Sequence, residues 1–131
     1  MKDSFLSKVA SMEHNAAVII LVERPLNICY LEAEYDVTHL QMENDSRFTL
    51  NVKLDDLINF LPDNLFFRVG EGIMVNSLKV LEFWVSAEPI LAISCGHIIP
   101  VPKNEVIKVH RFLKRNKGQE FIKKPKRVNV Y

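Results

Sequence analysis

The sequence predicts a mainly β fold with short helices, built on an elongated antiparallel sheet. Residues 28–37 alternate between apolar and acidic or polar side chains, which is the period of a strand with one buried face. Residues 37–52 contain two apolar segments separated by Asn44–Ser46, whose short polar side chains favour a turn. Residues 90–101 repeat this arrangement around Cys95–His97, which predicts a second hairpin.

Composition and length fit one soluble globular domain. The chain has 131 residues, of which 48% are hydrophobic and 25% are charged. Its longest apolar run, Ala16–Val22, is too short to span a bilayer, and its polar start does not resemble a signal peptide. We therefore expect a cytoplasmic protein without a membrane partner.

Few residues of the sequence suggest catalysis or metal binding. Cys29 and Cys95 are too few and too far apart for a disulfide framework or a metal site. Cys95 and His97 are close in sequence, but no Asn or Asp that would orient the histidine can be identified. We expect no enzymatic activity, no metal, no cofactor and no small-molecule substrate.

The net charge of +1 hides an asymmetry between the two parts of the chain. Residues 103–131 hold ten Lys or Arg and two Asp or Glu, a net charge of +8, whereas residues 1–102 hold seven and fourteen, a net charge of −7. A basic end on an acidic body suggests a polyanion partner or a contact between subunits. Because the body repels phosphates, nucleic-acid binding should depend on the basic end.

The N-terminal region predicts a short helix followed by a strand. Residues 3–13 place Phe5, Val9 and Met12 on one helical face, which would cover the core or mediate self-association. Val18–Val22 is rich in β-branched residues and predicts a buried strand. We therefore divide the chain into an N-terminal helical extension (1–15), a main domain (16–115) and a basic, mobile tail (116–131).

Two further helices are predicted. The first runs from Asn51, as N-cap, to Leu61, with Asp55 and Asp56 in its first turn. The second covers residues 103–115 and follows the strands predicted at 78–85 and 90–94. Its apolar stripe is formed by Val106, Val109 and Leu113, and its opposite side carries Asn104, Lys108, Arg111 and Arg115.

One strand carries Ile28, Tyr30 and Leu31-Glu32-Ala33-Glu34, and the stretch after the first predicted helix carries Leu61-Pro62, Phe67-Arg68-Val69, Val75 and Asn76. These motifs resemble the LytTR-type DNA-binding domain of bacterial regulators. The resemblance covers residues 17–115. It implies an elongated β fold whose loops enter successive major grooves on one side of double-stranded DNA, and therefore a role in transcription regulation.

The resemblance implies three DNA-contacting loops. In the first, Asp36–His39, the side chains of Thr38 and His39 can hydrogen-bond to bases or phosphates. In the second, Gly70–Gly72, Glu71 stands where the family has an arginine. In the third, Pro100–Lys103, the last residue supplies a cation. Together with the polar side of the last helix, the predicted DNA-binding residues are Thr38, His39, Glu71, Lys103, Asn104, Lys108, Arg111 and Arg115.

Two functions remain open at this point. The first is a LytTR-type transcription regulator that lacks a receiver domain. The second is a LytTR-like scaffold that has lost DNA reading and acts as a protein-binding or dimerising modulator. Glu71 favours the second, because a carboxylate repels phosphates. The two differ in whether the C-terminal cations share a surface with residues 36–39 and 70–72.

Overall fold

In the described part of the chain, the strands form two sheets, and three α-helices pack on them. A computed structural model describes residues 2–62 and 64–125, with side chains from residue 12 onward. The helices are α1 (Lys2–Glu23), α2 (Leu54–Leu57) and α3 (Val106–Asn116). The strands are β1 (Ile28–Glu34), β2 (Val37–Met42), β3 (Arg47–Leu50), β4 (Phe66–Arg68), β5 (Ile73–Asn76), β6 (Val80–Trp84), β7 (Ile90–Ile93), β8 (Ile98–Pro100) and β9 (Ile122–Lys123).

Sheet A, in the order β3-β2-β1-β5-β4, is antiparallel throughout. Sheet B has the order β8-β7-β6-β9, and its edge strand β9 runs parallel to β6. Both predicted hairpins are confirmed, as are the mainly β fold, the short central helix and the C-terminal helix. The sheets form because the apolar side chains of the strands must be covered by other elements of the fold.

Sheet A lies between two apolar clusters, because successive side chains of a strand point to opposite faces. Leu31 belongs to one cluster and Tyr30 to the other. The first cluster joins the sheet to α1 and α2, through Ala17, Leu40, Leu50, Leu54, Leu57 and Met74. The second joins it to sheet B and α3, through Phe67, Val75, Phe83, Leu91, Ile99, Val109 and Leu113. The predicted apolar stripe of α3 therefore faces the core.

The strand predicted over Val18–Val22 is wrong, because these residues complete the single helix α1. The β preference of branched residues is weak, and here the packing of Ala17 on sheet A overrides it. The Glu13 carboxylate accepts a hydrogen bond from the Thr49 backbone N–H at 3.2 Å, so the helix covers the edge strand β3. The helix predicted over 3–13 is part of α1, but the side chains of Phe5 and Val9 lie outside the described residues.

Two smaller differences concern the ends of elements. The alternation predicted through residue 37 stops at Glu34, because Tyr35 adopts a positive φ of 53° in a turn and is 96% exposed. The helix predicted from Asn51 begins instead at Leu54 and continues as a 3₁₀ turn over Ile58–Phe60. Its N-cap is Lys53, whose side chain makes no capping hydrogen bond.

The tail was predicted to be mobile from residue 116 onward, but residues 117–123 pack on sheet B. Ile122 is buried and pairs with Phe83 of β6. The Lys117 ammonium donates to the backbone carbonyls of Ser77 and Val80 at 2.5 and 3.2 Å. Residues 126–131 of the predicted tail lie outside the described part of the chain.

Candidate nucleic-acid interface

Several connections lie together at one end of the strands of sheet A. We call this region the loop edge, and it consists of residues 35–36, 51–55, 69–72 and 101–105. The Ala33 backbone N–H donates to the Gly72 carbonyl at 2.8 Å, so the loop between β4 and β5 lies beside the end of β1. A Cβ atom at position 70 would lie 3.5 Å from Cγ of Pro102. The second and third predicted loops are therefore neighbours.

Arg68 holds the shape of the loop that carries Glu71. Its Nε donates to the Gly70 carbonyl at 3.0 Å, and its Nη2 donates to the Glu71 carbonyl at 2.7 Å. The same Nη2 contacts the Asp55 carboxylate at 2.5 Å. Because the guanidinium is used within the domain, Arg68 positions the loop and leaves the Glu71 side chain exposed.

The charges along the loop edge are mixed. The Lys53 ammonium lies 3.7 Å from the Asp36 carboxylate, and the Lys108 ammonium lies 4.0 Å from that of Glu105. A cleft of about 560 Å³ brings several of these groups together, lined by Asp55, Arg68, Gly70, Glu71, Glu105 and Lys108. Each carboxylate lowers the positive potential of its neighbouring cation, so the loop edge by itself is not a strongly basic surface.

A basic surface begins at the loop edge and continues along α3. Val109 and Leu113 anchor this helix in the core, and Phe112 stacks on Phe67 with 4.7 Å between ring centroids. This anchoring turns the other side of α3 to solvent. Exposed cations on α3 are Lys108, Arg111, Lys114 and Arg115. An open groove of about 660 Å³ follows the same helix, beside Ile107 and His110.

The two predicted residues on β2 are less exposed than the other predicted residues. Thr38 is fully buried, and its hydroxyl donates to the Val52 carbonyl at 2.8 Å. This burial corrects the prediction of a base contact, since the hydroxyl is not available at the surface. His39 is half-buried, and its Nδ1 lies 2.9 Å from Oγ1 of Thr49.

The other predicted residues are exposed and fall into two groups. Glu71, Lys103 and Asn104 lie on the loop edge itself. Lys108 shares the cleft with Glu71, and Arg111 and Arg115 follow along α3. The structure therefore brings the second loop, the third loop and the start of α3 together.

No sequence pattern predicts the contacts that Lys53 and Asp55 make. The first pairs with Asp36 and the second with Arg68, across separations of 17 and 13 residues. No periodic pattern links residues so far apart, and only the folded loop edge brings them into contact.

The described residues offer two further findings. No group of three or more His, Cys, Asp or Glu in this part of the chain is arranged to hold a metal ion. None of its helices combines the length and the apolar character that crossing a membrane requires.

Comparison with known proteins gives a match at the level of structure. No protein-family model matches the sequence, and no curated protein is significantly similar to it. A solved structure that is similar is the LytTr DNA-binding domain of a putative methyl-accepting/DNA response regulator from Bacillus cereus, with a TM-score of 0.60 and 21% sequence identity. The match covers 67% of this chain and 82% of that one. With its two β-sheets and short helices, the chain has the fold of a LytTR domain.

Proposed function

We propose that this chain binds double-stranded DNA and regulates transcription, as a LytTR-type domain whose phosphate contacts come mainly from α3. One observation carries this proposal: α3 begins at the loop edge, so its exposed cations continue the surface formed by the Glu71 loop. The similar fold of a domain described as DNA-binding supports it. DNA affinity depends largely on cations that contact phosphates, and α3 supplies four of them.

The residues of this surface take different roles. Lys103, Lys108, Arg111 and Arg115 contact phosphates, and the Asn104 amide donates a further hydrogen bond to the backbone. These contacts fix the position of the domain on the duplex without reading sequence. Thr38 takes no part, because its hydroxyl is buried.

Glu71 is the residue that we propose for direct base reading. A carboxylate accepts a hydrogen bond from the amino group of cytosine in the major groove. Arg68 and Lys108 line the same cleft, and their charges reduce the repulsion between this carboxylate and nearby phosphates. His39 is the second candidate, with its Nδ1 beside Oγ1 of Thr49 and its Nε2 3.6 Å from the Glu34 carboxylate.

The proposal is tested by measuring the affinity of the full chain for random duplex DNA across a salt series. Because each lost phosphate contact removes about 0.9 from the slope of log K against log salt, the variant Arg111→Gln with Arg115→Gln should lose about 2 from that slope. The control is Lys79→Gln, whose ammonium pairs with Glu43 at 3.0 Å, at the turn between β2 and β3. Equal slopes for the two variants and the unmodified chain would contradict a role for α3.

A second candidate function is a protein-binding or dimerising modulator. The observation that favours it is an exposed apolar face on α1 and the turn after it, where Met12, Ile19, Val22 and Leu26 are 71%, 54%, 72% and 54% exposed. Exposed apolar patches commonly mark protein contacts. Absence of DNA binding at low salt, together with a dimer in analytical ultracentrifugation, would favour this function over the first.

A further inference from the structure

A β-bulge in β1 directs the Cys29 thiol toward sheet B. The pairing of β1 with β2 shifts register between Ile28 and Tyr30, so that one residue of β1 has no direct partner. A bulge re-aims the side chain of the extra residue. Cys29 and Tyr30 accordingly both lie in the cluster shared with sheet B, although neighbours in a regular strand point to opposite faces.

Cys95 lies opposite, in the turn between β7 and β8. It is partly exposed and packs against the cluster that contains Cys29. Contacts on both sides hold this turn against sheet A. The Tyr30 hydroxyl lies 2.6 Å from Nδ1 of His97, and the Ser94 hydroxyl donates to the Glu43 carboxylate at 2.6 Å.

The two thiols differ in their surroundings. Burial, followed by the neighbouring Cys95 thiol, raises the pKa of the Cys29 thiol to about 12. Cys29 therefore stays protonated at neutral pH. Because a thiol must be accessible to react with an oxidant, the partly exposed Cys95 is the one that reacts first.

We propose that Cys29 and Cys95 form an oxidation site, at which a hydroperoxide converts the two thiols into a disulfide between sheet A and sheet B. The Cys95 thiolate attacks the peroxide, the O–O bond breaks, and the leaving oxygen takes a proton and departs as an alcohol or water. The resulting sulfenic acid is attacked by the sulfur of Cys29: the S–S bond forms, the S–O bond breaks and water leaves. Two thiols are oxidised for each hydroperoxide reduced.

The test treats the folded full chain with hydrogen peroxide at neutral pH, then unfolds it in the presence of an alkylating reagent. We expect both cysteines to become inaccessible to alkylation together, with a mass loss of about 2 Da because two hydrogens leave. A thiol reductant should restore both. In Cys29→Ala, Cys95 should instead gain oxygen or link to a second chain, since its partner is absent.

Other results would overturn the proposal. One is oxygen addition or an intermolecular disulfide at Cys95 of the unmodified chain while Cys29 remains open to alkylation. Another is the absence of any reaction at either thiol. Cys29 is buried, so a substitution at this position can disturb folding. Cys29→Ser is therefore measured beside Cys29→Ala, and circular dichroism before oxidation checks that each protein is folded.

Discussion

Two glycines in the Glu71 loop differ in what they allow the backbone to do. Gly70 has a φ of 110°, in a region that side-chain-bearing residues avoid, and it faces the Pro102 ring. Gly72 has no neighbouring atom within 4 Å of an added Cβ and does not adopt a positive φ. Only the first glycine is therefore required by the shape of the loop.

We predict that Gly70→Ala lowers the free energy of unfolding by about 1–2 kcal/mol, because alanine is strained at this φ. Gly72→Ala is the matched control and should change it by less than about 0.5 kcal/mol. Urea denaturation measures both. Equal losses in the two variants would mean that the loop does not need a left-handed residue at position 70.

The Glu43 carboxylate makes the stability of the domain depend on pH. The Ser94 hydroxyl and the Lys79 ammonium, in that order, hold the pKa of Glu43 below its ordinary value of 4.5. A group whose pKa is depressed by folding stabilises the domain above its unfolded pKa, and this stabilisation is lost as the pH falls through the folded pKa.

We predict that Glu43→Gln costs about 0.5–1 kcal/mol of unfolding free energy at neutral pH, as expected for a partly exposed ion pair. The difference from the unmodified chain should shrink as the pH falls below 4.5, where the carboxylate begins to take up a proton. Denaturation at neutral pH and at about pH 3 measures this. The control is Glu88→Gln, which replaces an exposed carboxylate in a loop. If Glu43→Gln and the unmodified chain differed in unfolding free energy by the same amount at both pH values, the prediction would be contradicted.

The two hairpins were predictable from the sequence, and the C-terminal half of α1 was not. The hairpins follow from alternation and turn residues that are local in sequence. In α1 the local signal of Val18–Val22 favours a strand, whereas the decisive contact is that of Ala17 with the core beneath sheet A. Long-range packing of this kind leaves no periodic trace when the exposed face of the helix is also apolar.

The side chains of α1 that cover β3 can be tested directly. Glu13 accepts from the Thr49 amide, so Glu13→Ala should raise the exchange rate of that amide by about tenfold, equivalent to one hydrogen bond. Amide hydrogen exchange measures this, with Glu23→Ala at the end of the same helix as control. Unchanged protection of Thr49 in the first variant would show that α1 does not protect the edge of the sheet.

The segment that follows α3 is part of the fold. Since Ile122 is buried in sheet B and Lys117 donates to two backbone carbonyls, deletion of residues 116–131 would remove part of the fold together with the basic charge. Burial is expected to lower the pKa of Lys117, so this cation serves the core rather than a phosphate. Substitutions of exposed cations on α3 are therefore the cleaner test of electrostatics.

At the scale of the molecule, the sequence predicted the loops but not their arrangement. The motifs identified Gly70–Gly72 and Pro100–Lys103 separately, and only the fold places Gly70 beside Pro102. The burial of Thr38 depends on a hydrogen bond to Val52, which no motif predicts. The charge asymmetry was readable from composition, but the mixed charges of the loop edge depend on pairs that form only in three dimensions.

A comparison of Glu71→Arg with Glu23→Arg in affinity for random duplex DNA at low salt tests whether the loop edge and α3 form one surface. Both variants change the net charge equally, and both replaced side chains are exposed. If the loop edge and α3 form one DNA-binding surface, Glu71→Arg should bind about tenfold more tightly than the unmodified chain and gain about 0.9 in salt slope, because it adds a phosphate contact. Glu23→Arg should change affinity much less, and equal gains in the two variants would contradict the proposed surface.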